Sequence, residues 1–348
     1  MIVRSRGRRP GWAAAFAVAG VMVLSACGGS GGDGTADKGA AGSSDRELKG
    51  LKVGLIMGGP KNDNGFYEAG FNGITKASKD LGVEFTAVEN VTPPEAEQAF
   101  RDLADAGHGL LIGMGADFED GGIAAAPDFP DRQFVVMNGR KTLPNLATYQ
   151  LREGQSAFLA AYLVSLLEPS TTTFGMVGGL EIPPHLTLRD GLAVAIRQDG
   201  EDNKLVSAFT GSFTDVALAK EAAVAQINNG ARVLVPWSGS AVDGAFAAAK
   251  EHQARGVKVI AALTDRCDQG SYFVASAVTD PGGLVYQLIQ DYGSPEWKPD
   301  TSKALGLETP TVGRVEACVP VPADVQKKVD EMKQALIAGT VPGAPAGL

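Results

Sequence analysis

Between residues 58 and 73 the chain reads GGPKNDNGFYEAGFNG, with Asp63 at the centre and Phe66 and Tyr67 just after it. Glycine-rich turns ahead of a helix often cradle phosphate, because the first N–H groups of the helix point at an anion. An acid in the middle of the turn opposes that use. A carboxylate accepts hydrogen bonds and donates none, so Asp63 suits a ligand that presents N–H or O–H groups. Turns of similar character recur along the chain: Gly113-Met114-Gly115, Asn138-Gly139, Gly178-Gly179, Thr210-Gly211-Ser212-Phe213 and Trp237-Ser238-Gly239-Ser240. Phe66, Tyr67, Phe213 and Trp237 are candidate faces for a flat ligand, each worth about 1–3 kcal/mol by analogy with the aromatic platforms that stack nucleic-acid bases.

Bond-making chemistry finds no footing in the same residues. Phe118 stands where a dinucleotide fingerprint beginning at Gly113 needs its third glycine, and no G-x-x-x-x-G-K-[ST] occurs. His108, His185 and His252 are far apart and lack the i, i+4 partners of a metal site, so they read as surface or turn residues. Asp117, Glu119 and Asp120 lack the spacing of a calcium loop and read as a solvated helix start. Gly28-Gly29-Ser30-Gly31-Gly32 matches the hydrolase pattern G-x-S-x-G, but no strand precedes it and no helix follows. The expectation is a binding protein and not an enzyme, with no catalytic residue, no metal and no cofactor.

Short apolar runs hold these turns. Strand patterns cover 52–57, 84–88, 109–113, 133–137, 172–177, 205–209, 231–236, 257–261 and 272–278. Helical patterns lie between and after them at 67–81, 94–106, 155–167, 186–198, 215–228, 241–253, 282–292 and 322–337. Continuous apolar strands alternating with amphipathic helices predict a doubly wound α/β fold, built twice. In such sheets a ligand binds outside the carboxyl ends of the strands, which is where the polar turns fall.

The N-terminus reads as an export signal. Arg4, Arg6, Arg8 and Arg9 precede an apolar run from Trp12 to Ala26. At 1.5 Å per residue that run covers about 22 Å, short of the ~30 Å hydrocarbon core of a bilayer. It closes on Leu24-Ser25-Ala26-Cys27, which resembles a bacterial lipobox with Cys27 as the lipidated residue. Residues 1–26 are thus expected to be a signal peptide and 27–49 a flexible tether too polar to bury a core. The formal charge of −9 becomes more negative once the leader arginines are gone, which excludes nucleic acid as the expected partner. In an exported chain Cys267 and Cys318 can pair as one disulfide.

Taken in order, several motifs resemble the basic membrane protein family of substrate-binding lipoproteins, which includes purine nucleoside receptors of bacterial ABC importers. Asp63-Asn64-Gly65-Phe66-Tyr67 with Gly73 is similar to its D-x-S-F-N-x-x-x-x-x-G signature. Phe129-Pro130-Asp131 with Phe134, Glu153 through Leu159, and Val177-Gly178-Gly179 with Pro183 and Gly191 follow the family's order. Gly211-Ser212-Phe213 with Asp215, Asp268-Gln269, and the stretch from Ile337 to Pro342 complete it. The resemblance implies a type I periplasmic-binding-protein fold of two lobes joined by a hinge of three crossovers. Lobe 1 is expected at 50–145 plus about 264–295, and lobe 2 at 146–263 plus about 296–348.

It further implies a nucleoside bound between the lobes of a receptor held by lipid on the extracytoplasmic face of the cell membrane, with an ABC permease and ATPase as partners. Asp63 would accept hydrogen bonds from the base and Phe66 pack on it, while Asp268, or Asp265 if the stretch is shifted, would hold ribose hydroxyls. Tyr67, Asn138, Phe213 and Trp237 complete the expected ligand-binding set. The chain departs from the pattern at Asn138, where the family has an acid, at Thr279, where it has a lysine, and at Val242-Asp243-Gly244, where it has G-x-G. Those departures leave open a base, a modified nucleoside or another small polar ligand; a receptor for a sugar or other polar metabolite, and a ligand sensor for a membrane signalling protein, are the alternative readings.

Overall fold

A computed structural model describes residues 47–63, 65–169, 172–199 and 202–348. Residues 1–46, on which the expected leader, lipidation at Cys27 and tether fall, lie outside the described residues, as does Asn64. Among the described residues no helix is long and apolar enough to cross a membrane.

In chain order the body begins with β1 (Lys52–Met57), α1 (Phe66–Leu81), β2 (Glu84–Val88), α2 (Ala96–Asp105), β3 (Leu110–Met114), α3 (Glu119–Ala125), β4 (Gln133–Met137), β5 (Leu146–Leu151) and α4 (Glu153–Leu167). It continues with β6 (Thr173–Gly178), α5 (Pro183–Ala195), β7 (Lys204–Phe209), α6 (Val216–Asn228), β8 (Val233–Trp237), α7 (Val242–Glu251), β9 (Lys258–Leu263) and β10 (Phe273–Thr279). The last elements are α8 (Pro281–Gly293), β11 (Ser302–Leu305), β12 (Gly313–Ala317) and α9 (Ala323–Ala338).

Two sheets result. The first has the order β11-β5-β4-β3-β1-β2 with every pair parallel. The second runs β12-β10-β9-β8-β6-β7 and is parallel except where β12 returns against β10. β3, β4 and β8 are buried at every position, as strands must be when helices cover both faces. Along β1 the pleat sends Leu55 to the side of α1 and α8, and Ile56 to the side of α2 with Phe100. The second sheet is covered in the same way, by a cluster containing α4 and α5 on one side and α6 and α7 on the other.

The lobe boundaries differ from those expected. The chain leaves the first sheet at Arg152, returns to that side at Asp280, and crosses again over residues 306–312. Residues 146–151, expected in lobe 2, are β5 and pair with β4. Residues 273–279, expected in lobe 1, are β10 in the middle of the second sheet. Residues 302–305, expected in lobe 2, pair with β5 as β11. The physical reason is common to β5 and β10: each follows its parallel neighbour without a helix between, so the strand–helix rhythm gives no sign of which sheet it joins.

Candidate ligand-binding cleft

On the first lobe, Asp63 lies immediately ahead of α1. Its Oδ1 accepts from the backbone N–H groups of Gly65 and Glu68, both at 2.9 Å, and its Oδ2 accepts from that of Tyr67 at 3.3 Å. These are N–H groups that a helix start leaves without partners, so the carboxylate caps α1. That cap fixes the two aromatic residues behind it. Tyr67 covers Gly58 and Gly59 so closely that a Cβ on either would come within 2.6 or 2.7 Å of the ring and hydroxyl. Phe66 meets Tyr67 edge-on, with centroids 5.5 Å apart. Burial, then the charges of Asp117 and Asp63, push the Tyr67 phenol up, so it keeps its proton near neutral pH.

Asn138 ends β4 in the left-handed backbone region, at φ 59°. Its N–H donates to the Tyr149 carbonyl at 2.7 Å and its Oδ1 accepts from the Leu151 N–H at 3.0 Å, which locks the ends of β4 and β5 together. Asparagine tolerates this conformation better than most residues, which gives Asn138 a backbone role of its own. Leu263 (φ 68°) and Asn90 (φ 59°) share the left-handed conformation, also at carboxyl ends of strands. Leucine has no local side-chain hydrogen bond to favour it there, so Leu263 stores about 1–3 kcal/mol of strain beside the cleft.

The second lobe contributes Glu153 at the first turn of α4, whose carboxylate accepts from the Trp237 indole Nε1 at 3.1 Å. Burial pushes the Glu153 carboxyl up, and the indole bond acts against that shift. Trp237 is only 4% exposed and belongs to the second lobe's core, so it is not an open stacking face, and it lines neither cavity. Next to it, the Ser238 hydroxyl is buried without a hydrogen-bond partner. Phe213 presses on Gly179, where a Cβ would come within 2.3 Å of its ring, and meets the His185 ring edge-on at 5.3 Å. His185 Nδ1 lies 3.0 Å from the Leu180 carbonyl, to which it donates. Burial lowers the pKa of His185, so the ring is neutral at pH 7 and its Nε2 is an acceptor.

A cavity of about 650 Å³ opens between the lobes, lined by Asn138 and Arg140 after β4, Gln150 and Glu153 around the first crossing, and His185 and Thr187 on α5. A second cavity of about 530 Å³ adjoins the second crossing, with Asn72, Lys76, Asp265 and Arg314 on its walls. Asp265 accepts from the Cys267 N–H at 3.0 Å, while Asp268 is exposed and on neither wall. Thr279, where the resemblance expects a lysine, is fully buried and lies 2.6 Å from the Ser156 hydroxyl on α4. Cys267 and Cys318 form a disulfide, with Cα atoms 4.7 Å apart. Asp265 lies close to both sulfurs, but cysteines joined to each other offer no thiolate to a metal.

Of the expected ligand residues, then, Asn138 lines the first cavity, Trp237 supports it through Glu153, and Phe213 does so through His185. Asp63 lies in the turn between β1 and α1, Phe66 and Tyr67 open α1, and none of the three lines either cavity, whereas Asp265 lines the second. The sequence reading missed Glu153 and His185 as cleft residues. Glu153 carried a signal, a lone acid opening an otherwise apolar helix, whereas His185 carried only its place after Pro183-Pro184. The arrangement can hold a small polar molecule: an amide, a half-buried carboxyl and a neutral imidazole face one space.

Comparison with known proteins places the fold in a family. The family described as "ABC transporter substrate-binding protein PnrA-like" matches residues 51–343. Basic membrane protein A of Borreliella afzelii is 25% identical over 82% of this chain and 89% of its own length. An uncharacterised lipoprotein of Pyrococcus abyssi is 26% identical over 88% of this chain and 82% of its own. The ABC transporter nucleoside-binding protein BmpA of Lactococcus lactis is 25% identical over 68% of this chain and 66% of its own. Among solved structures, a solute-binding protein of an ABC transporter system from Aeropyrum pernix superposes with a TM-score of 0.70, at 22% identity, over 85% of this chain and 94% of that one. Another from Conexibacter woesei gives 0.68, at 22% identity, over 86% and 99%. These likenesses establish the type I solute-binding fold.

Proposed function

The chain belongs to the PnrA-like family of ABC transporter substrate-binding proteins, and from that premise we propose that it binds a nucleoside or a close purine-like solute between its lobes and hands it to an ABC permease. The observation that carries the reading is the interlobe cavity walled by Asn138 on one lobe and by Glu153 and His185 on the other. A base and a sugar both offer N–H and O–H donors and lone pairs, which an amide, a carboxyl and an imidazole acceptor match. Bridging by the solute favours the closed arrangement, and closure creates the surface that the permease reads. Lipid on Cys27 would hold the receptor at the extracytoplasmic face of the membrane, in keeping with relatives named as lipoproteins.

A second reading, a receptor for a sugar or another polar metabolite, is favoured by one observation. Thr279 is spent on Ser156 rather than exposed to the cleft, so the ribose contact that a lysine supplies in the family has no counterpart at that position. Calorimetric titration with nucleosides, free bases and sugars decides between them. Micromolar or tighter binding of a nucleoside supports the first, binding of a sugar alone replaces it with the second, and silence across the panel removes both. Permease and ATPase genes beside this one fit import, whereas an adjacent sensor-kinase gene would favour a signalling role.

A further inference from the structure

The segment beyond α9 turns back along α5, and residues 346–348 of it line the cleft. Pro342 accepts from the Gln198 side-chain amide at 3.3 Å, and Gly343 lies beside Val194, with 3.9 Å between its ideal Cβ and Val194 Cγ1. The Leu348 side chain then fills the slot between two glycines. A Cβ on Gly154 of α4 would come within 2.4 Å of Leu348 Cδ2, and one on Gly191 of α5 within 2.7 Å. Ala344 and Leu348 pack on the second lobe's core, and residues 346–348 line the same cavity as Asn138, Glu153 and His185. The family match stops at residue 343, so this wall is contributed by residues outside the shared pattern.

We infer that Ala346–Leu348 form a specificity wall of the ligand cleft, with Leu348 as the anchor that sets how large a solute the α5 side admits. The reasoning is steric. Gly154 and Gly191 leave a groove whose floor has no side chains, and Leu348 occupies that groove. Without its isobutyl group residues 346–348 present no large side chain, and the cavity extends along α5. The inference rests on the proposed cleft as the solute site and concerns selectivity rather than the existence of binding.

The test uses the full chain and Leu348→Gly, titrated calorimetrically with adenosine, inosine, N6-benzyladenosine and 5′-methylthioadenosine. The expected result is a shift of at least 10-fold in the affinity ratio of one bulky analogue to its parent nucleoside. Parent binding in wild type with unchanged ratios in Leu348→Gly overturns the wall. If wild type binds none of the four, the nucleoside reading fails instead, and hydrogen exchange judges the tail separately. Amides of 152–155 and 183–192 should then exchange several-fold faster in Leu348→Gly, and equal rates overturn the wall.

Discussion

The indole N–H of Trp237 donates to the Glu153 carboxylate across 3.1 Å, tying the end of β8 to the first turn of α4 beside the first crossing between lobes. Burial raises the folded-state pKa of Glu153 above its unfolded value. The folded protein therefore holds that proton more tightly than the unfolded chain does. This term favours folding least when the group is charged: stability falls as pH rises from the ordinary carboxyl value, about 4.3, through the raised one. Glu153→Gln keeps an acceptor for the indole and removes the charge. In urea denaturation the stability of Glu153→Gln relative to wild type should be more favourable at pH 7 than at pH 4. A difference that ignores pH, or runs the other way, would mean that solvent reaches the carboxylate.

His185 carries the opposite sign. Its pKa is lowered by burial, so the unfolded chain binds this proton more readily than the folded one. Its contribution is fully present above the ordinary histidine value, about 6.5, and is lost as pH falls from there through the lowered folded value. Protonation would also convert Nε2 from an acceptor into a donor on the wall of the cleft. A solute that donates to it should bind more weakly at pH 5 than at pH 7.5 in wild type. His185→Gln should flatten that dependence in calorimetry, and a slope unchanged by the substitution would assign it elsewhere.

Asp63 has two roles to separate. As the cap of α1 it serves three backbone N–H groups, so Asp63→Ala should cost about 1 kcal/mol of stability. Asp63→Asn retains a side-chain oxygen acceptor and should recover most of that loss. If the charge also meets the solute, both substitutions weaken binding by 10-fold or more. Wild-type affinity in a stably folded Asp63→Asn would confine the residue to capping.

The disulfide spans a sequence separation of 51 residues and fastens the loop between β9 and β10 to the end of β12. Loop-closure entropy puts its contribution at about 4 kcal/mol, within the range usual for native cystines. The double substitution of Cys267 and Cys318 by serine should lower the urea midpoint accordingly, with a somewhat larger m-value because the unfolded chain without the crosslink is more open. A loss below about 1 kcal/mol would mean that the loop is already held by its other contacts, such as the bond from the Arg266 N–H to Ser276 Oγ at 3.0 Å.

How much of this was legible in the sequence follows from the kind of interaction involved. Strands such as QFVVM and VLVPW announce themselves because burial on both faces forces an unbroken apolar run, and the helices between them fix the doubly wound class. β5 and β10 were harder. Sheet membership depends on pairing between distant segments, and no local pattern in LATYQL or FVASAVT tells which neighbour it will choose. The turn around Asp63 was legible as a special site, but its cap was not, since a carboxylate facing helix N–H groups and one facing a ligand look alike in sequence. Glu153 and His185 became cleft residues only once α4 and α5 were seen to meet β4's carboxyl end.

Gly73 gives a prediction in which two effects of known size oppose each other. A Cβ there would lie 2.2 Å from the Gly282 carbonyl oxygen, and one on Gly282 would lie 2.2 Å from that of Ala69. Helices α1 and α8 therefore touch backbone to backbone, where α8 leaves the second crossing under its Asp280 cap. Helix propensity alone says that Gly73→Ala should stabilise the protein by about 1 kcal/mol. The clash says otherwise, because the atoms in the way are main chain and cannot swing aside, and overpacking of this kind costs about 1–3 kcal/mol. A Cβ this close requires the two helices to separate, so the steric term should win and Gly73→Ala should lower the urea midpoint. Lys79→Ala, exposed on the same helix, should stay within about 0.5 kcal/mol of wild type and serves as the control. A stabilised Gly73→Ala would show that the helices separate without penalty and that the glycine contact does not fix α8 against α1.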